Sequence, residues 1–175
     1  MAIYTKRGDK GKTSLFTNGV RIGKDSLRIS AIGSIDELNS FIGILGCHIK
    51  DNNAVKRVIN IQIDLLTIGS ILGGSDLRFN KNKIGKFEKE IDILEKILPK
   101  LTNFIVPGGS ETASYLHFAR TLTRRAEREV VALSRIEKVP PKILIYLNRL
   151  SDYFFMLARN ENQREGVGDL LWTRK

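Results

Sequence analysis

The sequence contains very little cysteine and histidine, and this scarcity excludes several kinds of active site. Cys47 is the only cysteine, and His48 and His117 are the only histidines. A single cysteine cannot form an intrachain disulfide, and its position between Leu45 and Ile49 predicts a buried, inert thiol. Two histidines are too few to favour a histidine-based metal site or a Ser-His-Asp triad. We therefore expect both histidines to be structural or exposed, and no protein-held metal.

Long apolar runs are also missing. The longest uncharged stretches, at about 38–47 and 65–75, are well short of the ~20 residues that a membrane span needs. The N-terminus is polar almost at once, which argues against a secretory signal peptide. The 175 residues, 42% of them hydrophobic, fit one domain with a complete core. We expect a single-domain, soluble, cytoplasmic protein without membrane association.

Positive charge, in contrast, is in excess. The chain has 29 Lys and Arg against 19 Asp and Glu, a formal net charge of +10. Such an excess favours an anionic partner, which could be a nucleotide, a nucleic acid or an acidic surface. The net charge alone does not choose among these three.

The densest positive charge lies in residues 115–134, where it coincides with a helical period. Apolar residues recur there at the spacing of one helix face, at Tyr115, Phe118, Ala119, Leu122, Ala126, Val130 and Leu133. The opposite face carries His117, Arg120, Arg124, Glu127 and Arg128.

The arginines on that face indicate an anionic ligand. Arginines at i, i+4 and i+8 repel one another by a few tenths of a kcal/mol per pair, and Glu127 offsets only part of this repulsion. Guanidinium groups match phosphate oxygens two at a time, so the pattern favours a polyphosphate site. An ordinary solvated basic face is the alternative that the pattern leaves open.

Residues 1–25 form a glycine-rich segment with hydroxyl side chains. The glycines predict an irregular arm whose hydroxyls and exposed backbone N–H groups can surround an anion. The string Gly11-Lys12-Thr13 resembles the end of a P-loop. A P-loop also needs a glycine five positions earlier, where Lys6 stands, and a helix afterwards, whereas a strand-like or irregular segment follows here. A plain surface loop is the alternative.

The remaining sequence predicts four more helices. Helical seams run over about 26–50, 53–72 and 142–163. A fourth seam contains Phe87, Ile91, Leu94, Leu98 and Leu101, and Pro99 should bend this helix or end it early. The helix at 53–72 is apolar nearly all round, which predicts a central position. We therefore predict an all-α, up-and-down five-helix bundle over 26–165, with the N-terminal arm at 1–25 and a tail at 166–175. So long an arm favours contact with a neighbouring subunit.

Six motifs, in order along almost the whole chain, resemble those of the PduO-type ATP:cob(I)alamin adenosyltransferases. The match extends from residue 3 to about residue 172. Any single motif would be weak, whereas six in register are specific. The motifs are Tyr4-Thr-Lys-x-Gly-Asp-x-Gly-x-Thr13, Lys24-Asp25, Asp36-Glu-Leu-Asn-Ser40, Phe104-x-x-Pro-Gly-Gly109, Arg120-x-x-x-Arg-Arg-Ala-Glu-Arg128 and Leu147-Asn-Arg-Leu-Ser-Asp-Tyr153.

The resemblance implies a function and an assembly. A member of this family transfers the 5′-deoxyadenosyl group of ATP to the cobalt of cob(I)alamin and releases tripolyphosphate, with Mg²⁺ accompanying ATP. It implies a homotrimer with ATP at the subunit interfaces. The residues that would hold ATP are Thr5, Lys6, Gly8, Gly11, Thr13, Ser14 and Lys24 from the arm, and Arg124, Glu127, Arg128 and Asn148 from the bundle.

Three of the matched positions carry further roles by resemblance. Asp36 and Arg120 match an ion pair across subunits, and Phe104 matches an aromatic residue on the lower face of the corrin. A plain hydrophobic plug is the alternative for Phe104. Because Co(I) is itself the nucleophile, the scarcity of histidine and cysteine agrees with this reaction. A reductase that supplies Co(I) and a cobalamin-dependent mutase are the further partners that this reaction suggests.

A second class of function is a basic helical protein that binds nucleic acid or another polyanion without catalysis. The arginines occupy one stripe without interleaved exposed aromatic residues, and no standard nucleic-acid motif is present. We therefore expect ATP and a corrinoid as partners, and no nucleic acid.

Overall fold

The computed structural model describes residues 4–16, 19–49 and 51–173. Five helices account for most of these residues: α1 (Leu27–Cys47), α2 (Asn52–Leu72), α3 (Asn82–Ile97), α4 (Glu111–Ser134) and α5 (Pro141–Arg164). The predicted all-α five-helix bundle is confirmed. The arm adds a feature that the sequence reasoning did not contain, a small antiparallel hairpin of β1 (Lys12–Ser14) and β2 (Arg21–Gly23).

The helix carrying the arginines lies in the middle of the bundle. Helix α4 packs against α1 on one side and α5 on the other, α2 covers α1, and α3 covers α5. Ala119 and Ala126 on α4 are completely buried, and their small side chains allow the neighbouring helices to approach closely. No helix in the described part of the chain is long and apolar enough to cross a membrane.

The expectation that the second helix is central is wrong. Helix α2 lies at the edge of the bundle, and its Ile59, Ile63 and Leu66 are 49%, 52% and 59% exposed. Its inner face, with Leu65 and Ile68, is fully buried. A helix that is apolar on every side can be buried on every side. How much of its surface is buried depends on how many other helices of the chain pack against it.

Local signals fix the ends of the site-bearing helices. The side chain of Ser110 accepts a hydrogen bond from the backbone N–H of Ala113, at 3.2 Å, and caps the start of α4. Helix α3 ends at Ile97, shortly before Pro99, as predicted. Pro141 is the first residue of α5, a position where its missing N–H costs nothing.

Three predicted side-chain environments are wrong. Cys47 is exposed in the last turn of α1 rather than buried. His117, placed on the polar face by the helical period, is buried against Phe155 with 6.1 Å between the ring centroids. Phe118, placed on the apolar face, is exposed and meets the edge of Phe41 at 4.7 Å. Helix α4 is covered on two sides, so its buried surface is wider than one stripe and reaches His117.

Candidate functional site

The arginine stripe borders two recesses on the surface of the bundle. Arg120 and Arg124 line a cleft of about 860 Å³ between α3, α4 and α5. Arg124 also lines a second recess of about 510 Å³ together with Glu127, Arg128 and Asn148. Asn148, on α5, donates a hydrogen bond from Nδ2 to Glu127 Oε1 at 3.1 Å. The four residues that sequence reasoning assigned to the bundle side of an ATP site therefore lie side by side.

The arginines of the stripe differ from their neighbours in having no acidic partner. Among the described residues, Arg120, Arg124 and Arg128 form no ion pair, whereas Arg125 binds Glu37 of α1. Three guanidinium groups without an acidic partner on one helix face can bind an external anion together.

Arg120 shows this lack of compensation most clearly. Its Nε atom is buried without a hydrogen-bond partner among the described residues. Burial and the neighbouring Arg124 guanidinium both lower the pKa of Arg120. A buried donor without an acceptor costs about 1–3 kcal/mol. An anion delivered from outside the chain would remove this cost.

The arm folds into a compact turn around Lys24. Gly11 adopts a φ of +73°, which favours glycine, and its carbonyl accepts a hydrogen bond from the backbone N–H of Lys24 at 2.8 Å. A Cβ atom at Gly8 would lie 3.2 Å from Lys24 Nζ, so Gly8 and the lysine side chain are in close proximity. The Arg21 guanidinium donates to the Lys12 carbonyl at 2.9 Å and ties β2 to β1.

The arm is attached to the bundle beside Asp36. The backbone N–H of Phe16 donates to the carbonyl of Gly73, at the end of α2, at 3.0 Å. Thr13, Lys24 and Asp36 line one recess of about 480 Å³ between the arm, α1 and α2. The remaining predicted arm residues are exposed outside this recess: Thr5, Lys6 and Ser14. Residues 1–3 and 17–18 of the predicted arm lie outside the described residues.

The two sets of predicted ATP residues are not brought together within one chain. Thr13 and Lys24 of the arm set line the recess beside α1 and α2, and the bundle set lines the recesses on α4 and α5. Asp36 is exposed on the arm side, and no ion pair joins it to Arg120 among the described residues. Each chain thus presents two separate half-sites.

Phe104 lies on the surface of the loop between α3 and α4. Its side chain is 81% exposed, which contradicts the alternative of a hydrophobic plug. Together with Leu101 and Trp172 it lines a shallow recess of about 500 Å³. A large exposed apolar ring beside a second one is typical of a binding surface. The position suits an apolar or flat ligand.

Comparison with known proteins identifies the family. The family model for cobalamin adenosyltransferase matches residues 3–161. The chain belongs to this family. It is 44% identical over 182 residues to the corrinoid adenosyltransferase of Bacillus subtilis, covering 99% of this chain and 93% of that protein. It is 40% identical over 184 residues to the corrinoid adenosyltransferase MMAB of Homo sapiens, covering 98% of this chain and 73% of that protein.

Some family members are longer than this chain. The corrinoid adenosyltransferase PduO of Citrobacter freundii is 41% identical over 169 residues, but the alignment covers 93% of this chain and only 50% of that protein. This chain therefore aligns with about half of the Citrobacter protein.

Solved structures share the fold over the whole chain. An alanine variant of the PduO-type ATP:corrinoid adenosyltransferase from Lactobacillus reuteri, complexed with cobalamin and ATP, superimposes with a TM-score of 0.92 at 37% identity. That match covers 99% of this chain and 100% of the other. A lysine variant of the enzyme from the same organism, complexed with ATP, also gives a TM-score of 0.92, at 38% identity and 98% coverage of this chain.

Sequence reasoning missed three residues near the Phe104 loop. Arg159, Asn162 and Asp169 form a connected hydrogen-bond cluster, and the first two are buried. The signal that could have found them is the placement of an arginine and an asparagine, at i and i+3, on the apolar side of the last helix. Buried polar side chains need partners, and such a pair on an apolar face predicts a tertiary polar contact.

Proposed function

We propose that this chain transfers the 5′-deoxyadenosyl group of ATP to cob(I)alamin, giving adenosylcobalamin and tripolyphosphate. The observation that carries the proposal is the row of arginines on α4 that has no acidic partner among the described residues. This row lies beside Glu127 and Asn148 in a chain that belongs to the cobalamin adenosyltransferase family.

The reaction needs little from the protein beyond positioning and charge. Co(I) attacks C5′ of ATP with its own electron pair and forms the cobalt–carbon bond. The bond between C5′ and the α-phosphate oxygen breaks, and its electrons leave with tripolyphosphate. Arginines aimed at this leaving group stabilise the charge as it develops. No protein nucleophile or general base is required for this sequence of bonds.

The two half-sites support an assembly in which neighbouring chains complete each other's sites. ATP would lie between the arm of one subunit, with Thr5, Lys6, Gly8, Gly11, Thr13, Ser14 and Lys24, and the arginine stripe of the next. Asp36 of one chain would then pair with the uncompensated Arg120 of another. The exposed apolar face of α2 also favours burial in an assembly. We place the subunits in a homotrimer, as the resemblance implies.

Mg²⁺ would enter this site with the triphosphate. Among the described residues, Glu127 provides the only carboxylate that lines the recess of Arg124 and Arg128, and the Asn148 amide lies beside it. Mg²⁺ takes oxygen ligands and is usually held by one or two carboxylates together with substrate phosphates, so these residues suit it. When bound, it would neutralise charge on the leaving group.

Phe104 provides the corrinoid side of the proposed site. An apolar ring against the lower face of the corrin would exclude water or base from that side of cobalt. Cobalt without a lower ligand accepts an electron more easily, so this contact would assist reduction of Co(II) by a reductase. The product would pass to a cobalamin-dependent mutase. We further propose that the protein acts in the cytoplasm.

The decisive experiment is to incubate the protein with ATP, Mg²⁺ and chemically reduced cob(I)alamin. The visible spectrum of the corrinoid should change to that of adenosylcobalamin, and tripolyphosphate should appear in equal amount. Filter binding with a polynucleotide, competed by ATP, tests the other class of function. Tight polynucleotide binding without turnover would show that the arginine stripe serves nucleic acid instead.

A further inference from the structure

Two buried polar residues of α5, Arg159 and Asn162, form hydrogen bonds with the loop that carries Phe104. Arg159 is 6% exposed and Asn162 is 1% exposed. Arg159 donates from Nε to Asp169 Oδ2 at 2.8 Å and from a terminal nitrogen to the carbonyl of Pro99 at 2.7 Å. One side chain thus connects the end of α3 with the C-terminal segment.

Asn162 connects the other end of the loop to the same carboxylate. Its Nδ2 donates to the carbonyl of Gly108 at 3.0 Å and to Asp169 Oδ1 at 3.2 Å. Its Oδ1 accepts the backbone N–H of Ser110 at 2.9 Å. A Cβ atom at Gly109 would lie only 2.1 Å from Asn162 Oδ1. The side chain of Asn162 therefore occupies the space that a side chain at position 109 would need.

The C-terminal segment then runs along the loop and holds the backbone at Phe104. The backbone N–H of Val106 donates to the carbonyl of Leu170 at 2.8 Å, and that of Trp172 donates to the carbonyl of Phe104 at 2.7 Å. Ile105 and Leu171 form an antiparallel bridge between these contacts. Because Asp169 immediately precedes this pairing, its two side-chain contacts anchor the strand-like segment that holds Phe104.

The loop is held at several points along its length. Residues 98–110 have no helix, and an exposed loop of this kind is ordinarily mobile. Here one end is held by Arg159, which is paired with Asp169, and the other by the amide of Asn162, while backbone hydrogen bonds hold the middle. A charged pair with little exposure to water is costly unless it is fully paired, so these contacts hold the backbone at Phe104 in one position.

We infer that Arg159, Asn162 and Asp169 are positioning residues that hold Phe104 in place for the corrinoid reaction. This inference rests on the proposed function, because it assumes that Phe104 contacts the corrinoid. Arg159 borders the cleft of Arg120 and Arg124, whereas Asn162 and Asp169 line neither that cleft nor the recesses of Glu127 and Lys24. A change at Asp169 should therefore affect the corrinoid side of the reaction and leave ATP binding unchanged.

The first test compares Asp169→Ala with Glu161→Ala as a matched control. Glu161 also forms an ion pair at the end of α5, with Arg164 at 2.9 Å, but among the described residues no side-chain hydrogen bond or ion pair joins it to the loop or to the C-terminal segment. Asp169→Ala should keep the wild-type ATP dissociation constant and helical circular dichroism. Turnover that starts from cob(II)alamin and a reductant should fall at least about tenfold further than turnover from chemically supplied cob(I)alamin, a difference of about 1.4 kcal/mol. Glu161→Ala should change neither rate.

The second test asks whether the loss acts through Phe104. Phe104→Ala alone should impair the cob(II)alamin route more than the cob(I)alamin route. If Asp169 acts through the ring, the double variant should be no worse than Phe104→Ala. Additive losses, or equal losses on both routes that follow the melting temperature, would overturn the inference and leave the cluster a purely structural role.

A readout without turnover separates this inference from the proposed function. Trp172 is the only tryptophan of the chain, so its fluorescence reports how firmly the C-terminal segment is held. Asp169→Ala should increase acrylamide quenching of Trp172, and Glu161→Ala should not. Gly109→Ala, which displaces Asn162 from the loop side, should reproduce the defect and serves as the second variant if Asp169→Ala folds poorly. If the wild-type protein fails to adenosylate cobalamin, the proposed function is wrong. If quenching of Trp172 is unchanged in Asp169→Ala and in Gly109→Ala, the inference about Phe104 positioning is wrong.

Discussion

At the residue scale, Arg124 and Arg125 are neighbours in sequence that meet opposite environments. Arg125 binds Glu37 on α1, whereas Arg124 opens onto the two recesses of the proposed site. Arg124→Ala should lower adenosyl transfer by roughly 10²–10³-fold, the usual cost of removing a donor that stabilises charge in the transition state. Arg125→Ala is the matched control and should retain near-normal turnover. Steady-state kinetics with ATP and cob(I)alamin measure both, and normal turnover in Arg124→Ala would make the stripe a solvated face.

His117 gives a second prediction at this scale, concerning pH. The imidazole is 3% exposed, and neither ring nitrogen has a hydrogen-bond partner among the described residues. Burial, and then the Arg120 charge, lower its pKa, while Asp169 opposes them. The unfolded state takes up a proton at this residue below about pH 6.5, before the folded state does. The stability that neutral His117 provides is therefore complete above about pH 6.5. It is lost as the pH falls toward the lowered pKa that His117 has in the folded state.

The prediction is tested with His117→Phe, which removes the titrating group but keeps an aromatic ring. Urea denaturation midpoints measured at pH 8 and pH 5.5 should differ less in this variant than in the wild type. An unchanged pH dependence in His117→Phe would show that other groups cause the acid sensitivity.

At the scale of elements, the arm and the bundle are separate in folding but joined in function. The core consists of residues from α1 to α5 with Phe79, and contains none from the described part of the arm. Deleting residues 1–14 should therefore leave helical circular dichroism unchanged. It should raise the KM for ATP strongly, because it removes β1 and the turn around Lys24. A deletion protein with unchanged ATP affinity would place the nucleotide elsewhere.

At the scale of the whole molecule, the proposed pairing of Asp36 and Arg120 across subunits can be tested with a double-mutant cycle. Removing one partner of a buried pair costs about 3–5 kcal/mol, so Asp36→Asn and Arg120→Lys should each weaken the trimer or corrinoid binding. Sedimentation velocity and corrinoid titration measure the two effects. The double variant should be less impaired than the sum of the single variants, and strict additivity would mean that the residues do not touch.

An intrachain pair provides the control for this cycle. Glu37 and Arg125 connect α1 and α4 within one chain. Changing them to Gln and Lys should alter the stability of the bundle but not the mass of the assembly. A loss of trimer in both cycles would mean that the assembly responds to bundle stability in general.

The sequence by itself determined the features that depend on local spacing. It predicted the five helices, the end of α3 before Pro99 and the common face of Arg120, Arg124 and Arg128. These features follow from the helical period and from backbone restrictions, both of which act over a few neighbouring residues. The same reasoning assigned Glu127 to this face.

Only the tertiary structure decided which faces are covered and which distant residues meet. It buried His117, left Phe118 exposed and separated Asp36 from Arg120 within the chain. Periodicity states which side chains share a face, but packing against other helices determines how much of each face is buried. The contact of Asn162 with the loop before α4 spans 52 positions in sequence. No local pattern specifies such a contact, because it exists only when α4 and α5 are packed together.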